Sequence, residues 1–168
     1  MKTYLQDGSS TARWILALGS VALVVGVVLV LALPAYRDFQ VQSKVSEVFV
    51  SADACRAEVS RIVQTTSAPV LSTSLFACDG GVSAGVKISR YLKSIAVRAT
   101  GSITVTLDYR SLPDLTQTTS TLTLVPLLDA TTVLRTSDVR KTIFAWRCGR
   151  PDDGTTIPSK YLPSNCRG

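Results

Sequence analysis

The residues with the most chemistry to offer are four cysteines, Cys55, Cys78, Cys148 and Cys166, in a chain of 168 residues without a histidine. An even number of cysteines in a small domain suggests disulfides and an oxidising compartment. No C-x-x-C pair occurs, so the spacing of a structural zinc site is absent. Without histidine the chain holds no Ser-His-Asp triad, no Cys-His pair and no His-ligated metal. Four cysteines allow three pairings, and the cysteines alone leave all three open.

The remaining polar groups form no catalytic set. Asp152-Asp153-Gly154 has two adjacent carboxylates that could begin a calcium site, but no further spaced oxygens follow, so it reads as a turn. Ser159-Lys160 are neighbours in sequence, which does not place a nucleophile beside a base in space. Asn165 is followed by Cys166 and Arg167, which is not a glycosylation acceptor. No catalytic residue, cofactor or metal is expected, and the chain does not read as an enzyme. Eighteen Lys and Arg against twelve Asp and Glu leave a net charge of +6. This excess includes Arg56, Arg61, Lys87, Arg90, Arg147 and Lys160. It would suit DNA or an acidic host surface as a partner. No row of stacking aromatics accompanies it, so it reads first as solvated surface.

The elements that must carry these residues begin with an apolar segment. Charged residues are only 18% of the chain, below the roughly 25% usual in soluble domains. Trp14 to Leu33 is free of charge, and about twenty residues at about 1.5 Å each span a bilayer core. A cleaved signal would have a shorter apolar run of about 7–15 residues and a small-residue cleavage site, which is missing after Leu33. Trp14 suits an interface. Lys2 and Arg13 before the span nearly balance Arg37 and Lys44 after it, so charge does not orient it. The cysteines do: all four follow the span. Residues 1–13 are therefore expected to be cytoplasmic, 14–33 transmembrane, and 34–168 a periplasmic or extracellular domain.

Past Pro34 the helical pattern continues. Val45, Val48, Phe49, Ala52, Cys55, Val59, Ile62 and Val63 recur at three and four residues, one apolar stripe. Breakers are lacking from Gln40 to Gln64, so Pro34 predicts a kink in one long helix of roughly fifty residues. A loop rich in Ser, Thr and Gly runs from Thr65 to about Ser89. Ile95, Val97 and Ala99 alternate, Thr100-Gly101 can turn, and Ile103, Val105, Leu107 and Tyr109 alternate again, a hairpin pattern. Thr121 to Leu128 is a third strand, with Pro126 limiting its length or placing it at an edge. Ile143 to Cys148 is a fourth, with Phe144, Trp146 and Cys148 on one face. The fold class is α+β, a helix covering an antiparallel sheet.

Several segments then resemble one family. Leu33-Pro34-Ala35-Tyr36-Arg37-Asp38-Phe39 looks like the membrane-helix end of type IV pilins. Val45-Ser46-Glu47 with Ala52-Asp53-Ala54-Cys55-Arg56, and Ser89-Arg90-Tyr91-Leu92, are similar to the four-cysteine members. Trp146-Arg147-Cys148 and Lys160-Tyr161-Leu162-Pro163-Ser164-Asn165-Cys166-Arg167 are the most specific match. The order and spacing of these segments cover roughly residues 34–168.

The resemblance implies the pilin fold: a long N-terminal helix, membrane-spanning and then amphipathic, packed on a four-stranded antiparallel sheet. It implies a membrane anchor at Trp14, Leu33 and Pro34. Together with nearness along the chain it favours disulfides Cys55–Cys78 and Cys148–Cys166. The second would close a D-region loop holding Asp152, Asp153, Lys160 and Tyr161. It implies a homo-oligomeric fibre packed through the N-terminal helices, with the inner membrane and the pilus assembly machinery as partners. Adhesion, twitching and DNA uptake are roles it implies for the fibre. The alternative is a membrane-anchored binding module that never polymerises. The N-terminus departs from the pattern, which has a Gly-Phe cleavage junction and a Glu shortly after it. Counting back from Pro34 reaches Ala12-Arg13, with Ala17 in the place of the Glu, and Gly8-Ser9 lies too far away. Cleavage by an ordinary prepilin peptidase is not expected.

Overall fold

The computed structural model describes residues 8–78, 89–112 and 114–167, with the backbone alone at 8–17, 19–21 and 24. Lys2, Asp7 and Lys87 lie outside these residues. So does the stretch 79–88 of the expected loop. The chain divides into two compact units, Met1–Phe39 and Gln40–Gly168.

One helix, α1, runs from Gly8 to Thr65 and contains Pro34. The expected helix is thus present and is 58 residues long. In the first unit its described side chains from Leu23 to Phe39 are mostly apolar and exposed, among them Leu23, Val30, Leu31 and Tyr36. Such a segment satisfies its own backbone through local hydrogen bonds, so its regularity asks nothing of neighbouring elements.

In the second unit the same helix is amphipathic. Val45, Val48, Phe49, Ala52, Cys55, Val59, Ile62 and Val63 are all buried, and Val41 extends their stripe one turn earlier. On the opposite side Val50 stays exposed. The helix end is closed by a distant segment: the Arg140 N–H donates to the Val63 oxygen at 2.7 Å. Arg140 takes a left-handed φ of 60° there. One of the carbonyls that a helix end leaves without a partner is satisfied in this way.

The stripe covers a sheet of four antiparallel strands in the order β1-β2-β3-β4. These are β1 (Leu92–Val97), β2 (Ile103–Leu107), β3 (Thr121–Leu127) and β4 (Ala145–Cys148). Register decides which face is buried. Ile103 pairs with Leu124, Val105 with Leu122 and Ile95, and Leu124 with Cys148. Since paired residues share a face, these form the inner layer of the core, which the helix stripe joins in one apolar cluster. The other face carries Ser94, Thr104, Thr106, Thr121 and Thr123 by the same register.

The strand expectations need four corrections. Ala99 falls in the hairpin turn and β1 begins earlier, at Leu92, with a register shift between Leu92 and Ser94. Tyr109 leaves β2 for a short 3-10 turn, because the Asp108 carboxylate accepts from the Arg110 N–H at 3.2 Å and starts that turn. Pro126 is not at an edge: β3 is a central strand and Pro126 pairs with Trp146. It is tolerated because pairing with β2 ends at Ile103–Leu124, so its missing N–H interrupts no ladder on that side. Its oxygen accepts from the Leu134 N–H at 3.0 Å instead. Finally, Ile143 and Phe144 precede β4, and Phe144 is 69% exposed rather than aligned with Trp146 and Cys148. The Thr116–Thr121 run forms a turn into β3, and Ser120 within it is buried.

Candidate surface-recognition site: the C-terminal loop

After β4 the chain loses regular structure but not order. The Cys148–Cys166 disulfide closes residues 149–165, with the two Cα atoms 5.0 Å apart. Gly149 opens the loop at φ 83°, where an added Cβ would lie 1.9 Å from the Cys166 backbone oxygen. Only glycine has both the conformational freedom and the space for this position. A 3-10 turn, Pro151–Asp153, follows and ends on Gly154 in the left-handed region at φ 93°.

The loop then takes over the pairing that β4 gives up. The Thr156 N–H donates to the Thr121 oxygen at 2.8 Å, and the Thr156 hydroxyl accepts from the Thr121 N–H at 3.1 Å. The buried Thr155 hydroxyl accepts from the Thr123 N–H at 3.1 Å. The start of β3 would otherwise present bare donors and acceptors, and a buried orphan of that kind costs about 1–3 kcal/mol. Ile157, Tyr161, Leu162 and Cys166 enter the core beneath the loop. The Leu162 oxygen accepts from Gln42 Nε2 on α1 at 3.3 Å and from Arg167 Nε at 3.0 Å.

One ion pair fixes the front of the loop. Arg147 Nε donates to Asp153 Oδ2 at 2.8 Å, and its terminal nitrogen donates to Oδ1 at 2.7 Å. This two-pronged geometry is the strong form of an arginine–carboxylate contact. Donating to the Asp153 carboxylate holds the Arg147 pKa above its ordinary value. Both Asp153 oxygens are thereby taken by a guanidinium. Asp152 faces outward with its side chain 84% exposed, and Arg150 lies 3.6 Å from it. Lys160 is exposed over the Tyr161 ring at 4.6 Å, while Tyr161 itself is a core residue. Of the residues singled out on this loop, Asp152 and Lys160 are therefore on its surface, and Asp153 and Tyr161 belong to its scaffold.

The other disulfide joins Cys55 of α1 to Cys78, with the Cα atoms 5.4 Å apart. It holds the segment after the helix, where the Leu71 N–H donates to the Thr136 oxygen at 2.7 Å and Leu71 and Phe76 are buried. Both disulfides follow the pairing that the resemblance implies. An open depression of about 330 Å³ lies beside Asp53, Arg56, Ala57, Ser60 and Trp146. The Arg56 guanidinium stands 5.6 Å from the Trp146 ring centre there.

The comparisons with known proteins enter against this geometry. The family model of pilins, described as subunits of a bacterial filament, matches residues 41–167. The chain belongs to the pilin family. A crystal structure of the type IV pilin of Pseudomonas aeruginosa strain Pa110594 is similar in fold, with a TM-score of 0.56 and 23% identity. That similarity covers 76% of this chain and 97% of the other. This pilin therefore has the type IV pilin fold and is a structural subunit of a filament rather than an enzyme. Membership of this family implies homo-oligomerisation into a filament and suggests a pilus at the cell surface. Leu33 and Pro34 lie exposed in α1, and the Trp14 side chain is outside the described residues. Among the described residues no helix is long and apolar enough to cross a membrane.

The ion pair between Arg147 and Asp153, the Thr155 and Thr156 contacts and the role of Gln42 were not legible in the sequence. Each joins residues that carry no pattern of their own. Only Gly149 and Gly154, set after a strand end and after Asp-Asp, signalled that the backbone turns there.

Proposed function

We propose that this pilin is a type IV pilus subunit, held by residues 14–33 as a single span in the bacterial inner membrane with residues 34–168 in the periplasm. Residues 1–13 would remain cytoplasmic. The observation that carries the reading is the contrast within α1: a long apolar segment exposed on every described side, continuous in sequence with a buried amphipathic one. An exposed apolar surface of that extent needs lipid or a second copy of itself to cover it. Lipid would cover it before assembly by the pilus machinery, and the helices of other subunits afterwards. The C-terminal loop is the surface through which we read adhesion. Twitching and DNA uptake follow at the level of the fibre.

A second reading, an anchored module that does not polymerise, draws support from the N-terminus. Ala17 stands where the family pattern has a Glu, so the buried carboxylate that would pair with the N-terminal amine of a neighbouring subunit is missing. The intact mass of the protein from native membranes and from sheared fibres separates the two. A shortened, N-methylated chain in fibres supports the subunit reading. A full-length chain confined to membranes supports the anchored module.

A further inference from the structure

The strand β4 is an edge of the sheet. Its hydrogen-bonding phase follows from the residue after it, because the Gly149 N–H donates to the Thr123 oxygen at 3.4 Å. In an antiparallel ladder, bonded pairs alternate with non-bonded ones. Arg147 opposite Val125 is therefore the next bonded pair, and Trp146 opposite Pro126 is a non-bonded one. Pro126 has no N–H to offer Trp146 in any case. The Trp146 N–H and oxygen thus point away from β3, and among the described residues neither meets a partner.

The Trp146 side chain lies on the inner face, two residues before Cys148. There it meets the flank of α1, and the depression beside Asp53, Arg56, Ala57 and Ser60 opens next to the ring. The cation in this depression is only partly satisfied. Arg61 and Arg147 each give Nε and a terminal nitrogen to the two oxygens of one carboxylate. Arg56 meets Asp53 through Nη1 instead. Its Nε is buried without a partner, and among the described residues no other side-chain nitrogen is in that state. The Trp146 ring, 5.6 Å away, orients the guanidinium but does not neutralise it. Buried polar groups are normally bonded, so an orphan donor beside an open depression marks a place for an acceptor.

We propose that the β4 edge takes an extended acidic peptide as a fifth strand. One guest residue forms a bonded antiparallel pair with Trp146. Its N–H donates to the Trp146 oxygen, and its oxygen accepts from the Trp146 N–H. Directly opposed residues share a face. The side chain of that guest residue therefore enters the depression beside Arg56. An Asp or Glu there presents its carboxylate to the Nε side of the guanidinium, as Asp153 does to Arg147. Backbone pairing supplies attachment, and the depression selects the residue. A second copy fits this site less well. The other edge strand, β1, reads Leu-Lys-Ser-Ile-Ala-Val and holds no carboxylate. The chain also carries a net charge of +6, which repels its own copies and attracts an acidic partner. The site lies wholly within the second unit and is the same whether or not the chain is anchored or polymerised.

The test titrates the full chain in detergent against a fluorescein-labelled, end-blocked peptide, Thr-Val-Glu-Val-Thr, read by fluorescence anisotropy. Two altered peptides accompany it, one with Gln for Glu and one with the Glu backbone nitrogen methylated. The Glu peptide is expected to bind about fivefold tighter than the Gln peptide, the worth of one partly exposed ion pair. High salt narrows that difference. Backbone methylation, which removes the donor to the Trp146 oxygen, weakens binding about tenfold. Arg56→Gln abolishes the preference for Glu over Gln, with an unchanged melting midpoint showing that the variant is folded. The altered peptides probe the site on the unmodified chain, so the outcome does not depend on that variant. Equal affinity for the Glu and Gln peptides overturns the proposal, as does methylation without effect or the absence of saturable binding. Displacement of the labelled peptide by unlabelled chain as effectively as by unlabelled peptide also overturns it, and makes a second copy the occupant.

Discussion

The first unit's helical segment and the C-terminal loop solve opposite problems. The helix is regular, and its described apolar side chains from Leu23 to Leu33 touch little. The loop is irregular, yet its backbone is tied by a disulfide, a bidentate ion pair and bonds to the start of β3. Regularity comes from local hydrogen bonds, whereas a single ordered conformation without regularity must be held by long-range contacts. Sequence changes should therefore cost folding stability in the loop and cost association in the helix.

The largest effect is expected at Gly149. Gly149→Val places a side chain against the Cys166 backbone, at a position with positive φ. A loss of about 4 kcal/mol is expected, beyond the usual range for single changes. Thermal melting of the full chain in detergent reads it, and an unchanged midpoint would break the contrast between the regions. Cys166→Ser comes next, at about 3 kcal/mol for a closed loop of this length. The exposed Thr118→Ala should stay within about 0.5 kcal/mol in the same assay. Equal losses would show that the tail is not stapled.

A smaller effect is expected from Asp153→Asn, which leaves the half-buried Arg147 with one weaker partner. About 1–2 kcal/mol is expected, between exposed and buried ion pairs. A double-mutant cycle with Arg147→Gln isolates the pair term, and a zero coupling energy would remove the ion pair from the loop's supports.

Acid sharpens the picture further. Asp129, in the turn after β3, has its pKa lowered from 3.8 to about 2, first by the Thr131 N–H and then by the Thr132 N–H. A carboxylate whose folded pKa is depressed stabilises the fold above its unfolded pKa, and that stabilisation fades as pH falls from about 4 to about 2. The melting midpoint of the unmodified chain should drop more steeply over that window than that of Asp129→Asn. Parallel curves would remove Asp129 from the acid response.

The smallest effect on folding is expected from Val27→Ser, at a position 51% exposed. The domain's midpoint should move by less than about 0.5 kcal/mol, while the yield of sheared fibres or of carbonate-resistant protein falls. A destabilised domain with normal fibres would invert the comparison.

What could be read from residues and what could not divides along the range of the interactions involved. The stripe from Val45 to Val63 and the alternation at Ile103–Leu107 announce themselves, because local periodicity is imposed by the face each element must bury. The D-region resemblance located the staple and its residues. Missed were the central position of Pro126, the departure of Phe144 from β4 and the burial of Tyr161. None of these is a property of a local window. Pro126 is tolerated because the pairing with β2 stops two residues earlier, at Leu124 opposite Ile103, the first residue of β2 after the hairpin turn. Phe144 lies just before β4: its N–H donates to the Leu127 oxygen of β3 at 2.8 Å, but the paired register begins only at Ala145.

The sequence by itself determined the two kinds of helix in α1, the strand-forming segments and the presence of four cysteines, since each depends on residue type and spacing alone. Tertiary structure decided which residues of the C-terminal loop face solvent. It placed Asp153 on Arg147, Thr155 and Thr156 on β3, and Tyr161 in the core, leaving Asp152 and Lys160 outside. The physical reason is that a loop without repeating structure has no period to read. The exposure of each side chain is set by the long-range partner its neighbours find, and those partners lie far away along the chain.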